Sequence, residues 1–524
     1  MMHCRNTVLS TLAAIGLALG LAPASPVHAA AVSTQKPASS GVWYEIFVRS
    51  WYDTNGDGVG DLNGVTAKLD YLKSLGVSGI WLMPINPSPS YHGYDITNYK
   101  AVNPQYGTLA DFRRLVAEAH KRGIRVIIDM VINHSSNEHP WFKAALNPKS
   151  PYRDWYTWAG KYTDVDTPNA FGGKAWQTAA DGRHYLGIFS PSMPDLNYDN
   201  PAVRRKMIDI GRFWLKQGAD GFRLDAARHI YVNLISDQDN PTAVAKNVAW
   251  WEQYRKGLDA VDPHAYLVGE VTQPTAVQLA PYMKPLDAVF NFPLATHLIK
   301  AARSESNLAI AATLEHVYAT YAKASGNKTI KDAPFLSNHD QERVMSQLDG
   351  NIQHMRMAAA MLLTLPGEPY IYYGEELGMR GKKPDPDLRT PMRWKRSTDA
   401  HGEATWHATS AKNTALSVQA EQADPHSLLH DYTRLIHWRM AIPALRKGGF
   451  RAFPHANDHL AVWQRPLSGQ GVLVVHNLSG KAQTMPLNVP GQPHYGKVLR
   501  ASRTGATIDH GVLHLPPYAS VVLQ

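Results

Sequence analysis

At 524 residues, with 44% hydrophobic and 19% charged side chains, the chain is too long for one ordinary core and has a globular composition, so two or three domains are expected. The net charge of +9 is scattered, and no run of like charges marks a nucleic-acid-binding arm. A single cysteine, Cys4, excludes an intramolecular disulfide.

Residues 1–30 read as an export signal. A short basic start precedes the apolar run Val8 to Ala22, and the small residues of Val27-His28-Ala29-Ala30 suit cleavage after Ala29 or Ala30. The run is too short for a membrane anchor, so a periplasmic or extracellular protein without membrane attachment is expected. Cys4 precedes the apolar run, a poor place for a lipid anchor, which leaves the mature chain without a thiol. Residues 31–40 read as a leader into the fold.

From Trp43 onward short apolar runs alternate with amphipathic helices, the pattern of a parallel α/β protein. Candidate strands are Tyr44–Val48, Gly79–Met83, Arg125–Met130, Gly221–Asp225, Ala265–Gly269, Ala288–Phe292, Pro334–Leu336 and Tyr370–Tyr373. Between them Leu109–Arg122, Val203–Lys216 and Met355–Leu365 carry helical spacing. Eight strands with intervening helices fit a (β/α)8 TIM barrel, here 41–134 and 198–440, whose chemistry belongs at the carboxyl ends of the strands. The aperiodic stretch 135–197 reads as an inserted loop-rich domain after the third strand. From 441 to 524 the pattern is all β, with strands at His459–Gln464, Gly471–His476, Gln483–Leu487, Lys497–Arg500 and Val512–Leu523, and reads as a C-terminal sandwich.

In Asp53-Thr54-Asn55-Gly56-Asp57-Gly58-Val59-Gly60-Asp61 an oxygen ligand falls at every second position, as a hard cation such as calcium requires. The candidate ligands are Asp53, Asn55, Asp57, Asp61 and the carbonyl of Val59. The twelfth position is Gly64 rather than Glu, so this is no EF-hand, and a polar turn capping a helix near Leu62 is the alternative.

Four apolar runs end in ionisable residues. They are Asp129-Met130-Val131-Ile132-Asn133-His134, Gly221-Phe222-Arg223-Leu224-Asp225-Ala226-Ala227-Arg228-His229, Val268-Gly269-Glu270-Val271 and Phe335-Leu336-Ser337-Asn338-His339-Asp340. A carboxylate closing a buried strand, with Arg223 two residues before it on the same face, is costly to bury without a use. Together and in this order the four stretches resemble the strand-end motifs of the α-amylase family of glycoside hydrolases.

That resemblance implies a nucleophile at Asp225, a general acid and base at Glu270, and a third carboxylate at Asp340 that holds the sugar's secondary hydroxyls. A nucleophile and an acid in a retaining site lie ~5–5.5 Å apart. Arg223 would keep Asp225 ionised and aimed. By the same resemblance His134 and His339 donate hydrogen bonds around the sugar, and Tyr94 of Tyr91-His92-Gly93-Tyr94-Asp95-Ile96 stacks on it. Arg228 and His229 resemble a Lys-His pair that holds glucose beyond the cleavage point. Arg389 would reach the donor sugar, the loop 53–61 resembles a family calcium loop, and Asn133 matches a second calcium position.

Met193-Pro194-Asp195-Leu196-Asn197 resembles members intermediate between oligo-1,6-glucosidases and neopullulanases. An aromatic at Tyr91, where exo-acting relatives carry Asp, favours a groove over a pocket. The expected activity is retaining endo-hydrolysis of α-1,4 bonds in starch, glycogen and maltooligosaccharides by a monomer. An exo-acting α-glucosidase or oligo-1,6-glucosidase, a glucanotransferase and a catalytically silent sugar-binding relative are the alternatives.

Overall fold

A computed structural model describes residues 41–326, 331–397, 401–409, 413 and 415–524. The export signal and Cys4 lie outside the described residues.

Eight parallel strands carry the site: Trp43–Ile46, Gly79–Leu82, Arg125–Met130, Gly221–Leu224, Tyr266–Gly269, Ala288–Phe290, Asp332–Ala333 and Tyr370–Tyr372. They neighbour one another in chain order, and the eighth returns to pair with the first, Trp43 opposite Tyr370. Between the seventh and eighth, Tyr370 N–H donates to the Pro334 carbonyl and Glu368 N–H to that of Asp332, each at 2.9 Å. The sheet thereby closes into a barrel. The seventh strand differs from the Pro334–Leu336 expected from sequence. Proline has no N–H for the ladder, so pairing with the sixth strand ends at Ala333.

Helices return the chain between strands, and polar caps start them. Thr108 and Asp111 form a reciprocal capping box on Leu109–Lys121, while Asn200 and Asn240 cap helices that begin with proline.

Period-two alternation sorts the strand residues into two apolar clusters. Trp43, Trp81, Ile127, Tyr266, Val268, Phe290 and Tyr370 fill the barrel. Tyr44, Ile80, Leu82, Val126, Ile128, Phe222 and Leu267 pack beneath the helices. The inward rows continue toward the carboxyl ends as Glu45, Asp129, Arg223, Asp225 and Glu270. An apolar plug therefore supports a charged layer. Gly221 is obligatory in this wall, since a β-carbon there would lie 1.9 Å from the Tyr266 carbonyl oxygen.

The stretch 135–197 holds the helix Pro140–Ala145 and a hairpin of Trp176–Thr178 with His184–Leu186. A bridge from His134 to Asp195 stitches it to the barrel rim, and one from Tyr156 to Leu196 ties the insert to itself.

At the C-terminal end, a five-stranded sheet contains Arg451–Ala452, Leu460–Arg465, Val472–Asn477, Ser520–Leu523 and Val498–Ala501, in that order. A three-stranded sheet contains Gln483–Pro486, Val512–Leu515 and Thr507–Asp509. The single strand expected over Val512–Leu523 is two strands in different sheets, because Pro516 and Pro517 break the ladder between them. Leu460, Val462, Leu473 and Val475 face the three-stranded sheet across the sandwich core. Ala461, Trp463, Val472 and Val474, on the opposite face, join the core shared with the barrel helices. Arg465 spans this junction, donating to the carbonyls of Thr364, Gly448 and Gly449 at 2.6–2.9 Å.

Candidate active site

The site is organised by one buried guanidinium. Parallel register sets Arg223 beside Asp129 on the third strand, and the fourth and fifth strands end in Asp225 and Glu270. Arg223 Nη1 donates to Asp225 Oδ1 at 2.6 Å and to the two Asp129 oxygens at 3.0 and 3.1 Å, while Nη2 donates to Glu270 Oε2 at 2.7 Å. Asp225 and Glu270 are thus held on the two terminal nitrogens of one side chain. Glu270 also accepts from Ala226 N–H at 3.1 Å. Ala226 itself has φ 45°, a left-handed conformation that costs an alanine ~1 kcal/mol and turns the chain sharply behind Asp225.

One cation cannot neutralise three buried carboxylates. Burial pushes Asp129 up to about 7 against the pull of Arg223. Burial, with the nearby charges of Asp225 and Asp340, raises Glu270 above the usual carboxylate range. Burial raises Asp225 as well, opposed by Arg223. The group of carboxyls therefore retains protons to higher pH than free ones would.

A second network faces the first. His339 Nδ1 lies 2.6 Å from Glu45 Oε1, and its Nε2 lies 2.6 Å from the Tyr94 hydroxyl and 3.1 Å from Asp340 Oδ2. The Tyr94 hydroxyl donates to Asp129 at 3.1 Å, which links the networks. Arg389 donates through Nε to the His339 carbonyl and through Nη2 to Asp340 Oδ1, both at 2.9 Å. It also reaches Asp385 and the Tyr91 hydroxyl, each at 3.2 Å. Against the desolvation of its site, His339 and Arg389 hold Asp340 well below the usual carboxylate range.

A cavity of 280 Å³ opens between the networks, lined by Asp225, Glu270, Asp340, Tyr94, His134, His229 and Arg389 among others. The three carboxylates named from sequence thus meet in one place. His134, lowered to about 4 by burial, is neutral, and its Nε2 donates to the Tyr94 carbonyl at 3.1 Å. The nitrogens of both His134 and His339 are engaged by protein groups, so these rings position Tyr94 and Asp340. His229 bonds the Val232 carbonyl through Nδ1 at 2.8 Å and leaves Nε2 buried without a partner.

Arg228 does not line the cavity. Its terminal nitrogens donate to the carbonyls of Thr272 and Gln238. Tyr91, the aromatic expected to favour a groove, stacks on Trp406 with 5.3 Å between centroids. Sequence reasoning also missed Phe171 and Phe189, exposed rings of the inserted domain that line the cavity. They lie in an aperiodic stretch, where only their apolar character was visible.

In the loop 53–61 Asp53 accepts from the N–H groups of Asn55, Gly56 and Gly58, and Asp57 from that of Val59. Asp61 caps the helix Leu62–Ala67. Among the described residues no three His, Cys, Asp or Glu side chains converge as a metal cage. The loop's donors are nonetheless all oxygens, the set a hard cation accepts. Asn133 donates to Asp195 Oδ1 at 3.3 Å, which ties the third strand to the inserted domain.

Residues 45–448 match the family model of the alpha-amylase catalytic domain, and 460–522 match that of the C-terminal domain of alpha-amylase SusG. Alpha-amylase 3 of Dictyoglomus thermophilum is 37% identical over 486 residues, covering 92% of this chain and 93% of that protein. An oligo-1,6-glucosidase of Parageobacillus thermoglucosidasius is 32% identical over 522 residues, covering 85% and 91%. Among solved structures, the alpha-amylase from H. orenii gives a TM-score of 0.85 at 42% identity, over 93% of this chain and 99% of that one. With the catalytic-domain match spanning most of its length, the chain belongs to the alpha-amylase family of glycoside hydrolases.

Proposed function

We propose that this glycoside hydrolase cleaves internal α-1,4 bonds of starch, glycogen and maltooligosaccharides with retention of configuration. The observation that carries the reading is the placement of Asp225 and Glu270 on the two terminal nitrogens of Arg223, at the edge of a cavity closed on its other side by Asp340. Asp225 attacks the anomeric carbon while Glu270 gives its proton to the departing glycosidic oxygen. Burial and the neighbouring charges of Asp225 and Asp340 favour the protonated Glu270 that this step uses. The glycosyl–Asp225 ester is then opened by water, whose proton returns to Glu270. Tyr94 offers an aromatic face to the sugar, and Asp340, ionised and fixed by Arg389, takes its secondary hydroxyls.

A second reading, release of glucose from chain ends, is favoured by the ties of Arg389 to Asp340, Asp385 and Tyr91 that narrow one end of the cavity. A product time course separates the two. Endo-action lowers the viscosity and iodine staining of soluble starch well before glucose accumulates. Early glucose from maltotriose with starch untouched overturns it, and longer oligosaccharides built from maltotriose mark a glucanotransferase. Asp225→Asn is expected to lose several orders of magnitude in rate on the same substrates, and wild-type turnover would refute the nucleophile.

The loop 53–61 is proposed to hold a structural calcium through Asp53, Asn55, Asp57, Asp61 and the Val59 carbonyl, with no part in the chemical step. Export to the periplasm or medium is proposed from residues 1–30, and the amino-terminal sequence of the mature protein tests it. Among the described residues no helix is long and apolar enough to cross a membrane.

A further inference from the structure

A second cavity, of 240 Å³, lies where the C-terminal sheets meet the barrel helices, and shares no lining residue with the catalytic one. The helix Ile352–Thr364 contributes Arg356, the helix Leu428–Ala441 contributes Asp431 and Arg434, and the turn after the strand Val498–Ala501 contributes Ser502 and Arg503. Three guanidinium groups therefore surround one carboxylate.

Asp431 is already shared. Its Oδ2 accepts from Arg356 Nε at 2.6 Å, and its Oδ1 accepts from Arg434 Nη2. Arg503 makes no hydrogen bond to it. Arg503 Nε donates to the Tyr518 carbonyl at 3.1 Å, and its Nη2 donates to the neutral amide of Gln353. Arg434 Nε is buried with no hydrogen-bond partner. The next carboxylate, Glu305, is taken up by the Tyr518 hydroxyl and by His354 at 3.2 Å. An ordinary surface ion pair matches charges, whereas this cavity encloses an excess of two positive charges between two domains. Burial and the repulsion of Arg356 lower the Arg503 pKa, Asp431 opposes them, and Arg434 adds to the lowering.

We propose that the cavity bounded by Arg356, Arg434 and Arg503 binds a tetrahedral oxyanion of the phosphate class. Arg356 Nη2 also donates to the His426 carbonyl at 2.6 Å, so the donors left for such an ion are the remaining terminal amino groups of the three arginines, with the Ser502 hydroxyl at the rim. The ion comes either free in solution or as a phosphate monoester on a sugar, and both present the same oxygens. Because the donors come from both domains, the bound ion cross-links them and stabilises their junction by mass action.

The test follows the melting temperature of the full chain in inorganic phosphate, glucose 6-phosphate and chloride at matched ionic strength. A saturable rise of a few degrees in phosphate, absent in chloride, is expected. Arg503→Gln and Arg434→Gln should each weaken the half-saturating concentration at least tenfold while starch hydrolysis continues unchanged, which shows that both variants fold. A response to phosphate alone assigns the free ion, and an equal or tighter response to glucose 6-phosphate assigns the ester. Equal shifts in chloride, no shift in either phosphate, or an undiminished response in both variants overturns the proposal.

Discussion

Tyr94 and His339 lie ring on ring, 5.5 Å between centroids and 13° from parallel, with the phenol oxygen 2.6 Å from Nε2. One face of the tyrosine is thereby spent on the histidine, and the His92 ring lies 6.0 Å away at 29°. Tyr94→Phe keeps the stack and removes the bonds to His339 and Asp129, so kcat/KM on a maltooligosaccharide should fall about tenfold. Tyr94→Ala removes the apolar platform as well and should cost about a further tenfold. Equal losses in the two variants would assign the whole effect to the hydroxyl.

The pH profile should report the neighbourhood of Glu270. Burial, then the charges of Asp225 and Asp340, raise its pKa, and Arg223 opposes them. Asp340→Asn removes one of the upward pushes. Glu270 then loses its proton at lower pH, and the alkaline limb of the residual kcat/KM moves toward acid. An alkaline limb that stays in place would separate it from Glu270.

His339 makes stability depend on pH in the opposite sense from a paired carboxylate. Burial disfavours its cation, but Asp340 and Glu45 prevail and raise it to about 10 from an ordinary 6.5. Its contribution is therefore complete below pH 6.5, declines above that, and is gone above pH 10. The stability gap between the wild type and His339→Gln, on the order of a few kcal/mol near neutrality, should shrink as pH rises from 6.5 to 10. A gap constant over that range would show that the ring acts only by packing.

The calcium proposed for the loop 53–61 would make stability depend on chelators. Chelation is expected to lower the melting temperature by several degrees, and Asp57→Ala to abolish most of that response. Asp57 is the informative position because it is exposed, whereas Asp61 also caps the helix Leu62–Ala67 and would cost stability in either case. A chelator response of the same size in Asp57→Ala would exclude the loop as the metal site.

Much of the catalytic layer was legible because a period-two strand ending in a charge has few uses. Arg223 and Asp225 could be placed on one face from their spacing alone. That Arg223 is shared with Asp129 could not, since the contact depends on the register of strands 94 residues apart in the chain. The partners of the histidines were hidden for a related reason: the position of a ring is local, but its partners are not, and His134 and His339 turn nitrogens toward Tyr94 and Glu45. Proline was underweighted twice, at Pro334 and at Pro516-Pro517, where a missing N–H outranks the apolar pattern around it. Phe171 and Phe189 had no periodicity to betray them.

The five-stranded sheet buries both of its faces, one in the sandwich and one against the barrel helices. A gene truncated near residue 448 would leave an oily flank on the helix Ile352–Thr364, and the released sandwich would bare Trp463. Neither fragment is a free-standing part for protein engineering. Grafting this catalytic barrel onto a different C-terminal domain, or lending the sandwich to another enzyme, requires carrying the matching helix face along, because the seam behaves as interior.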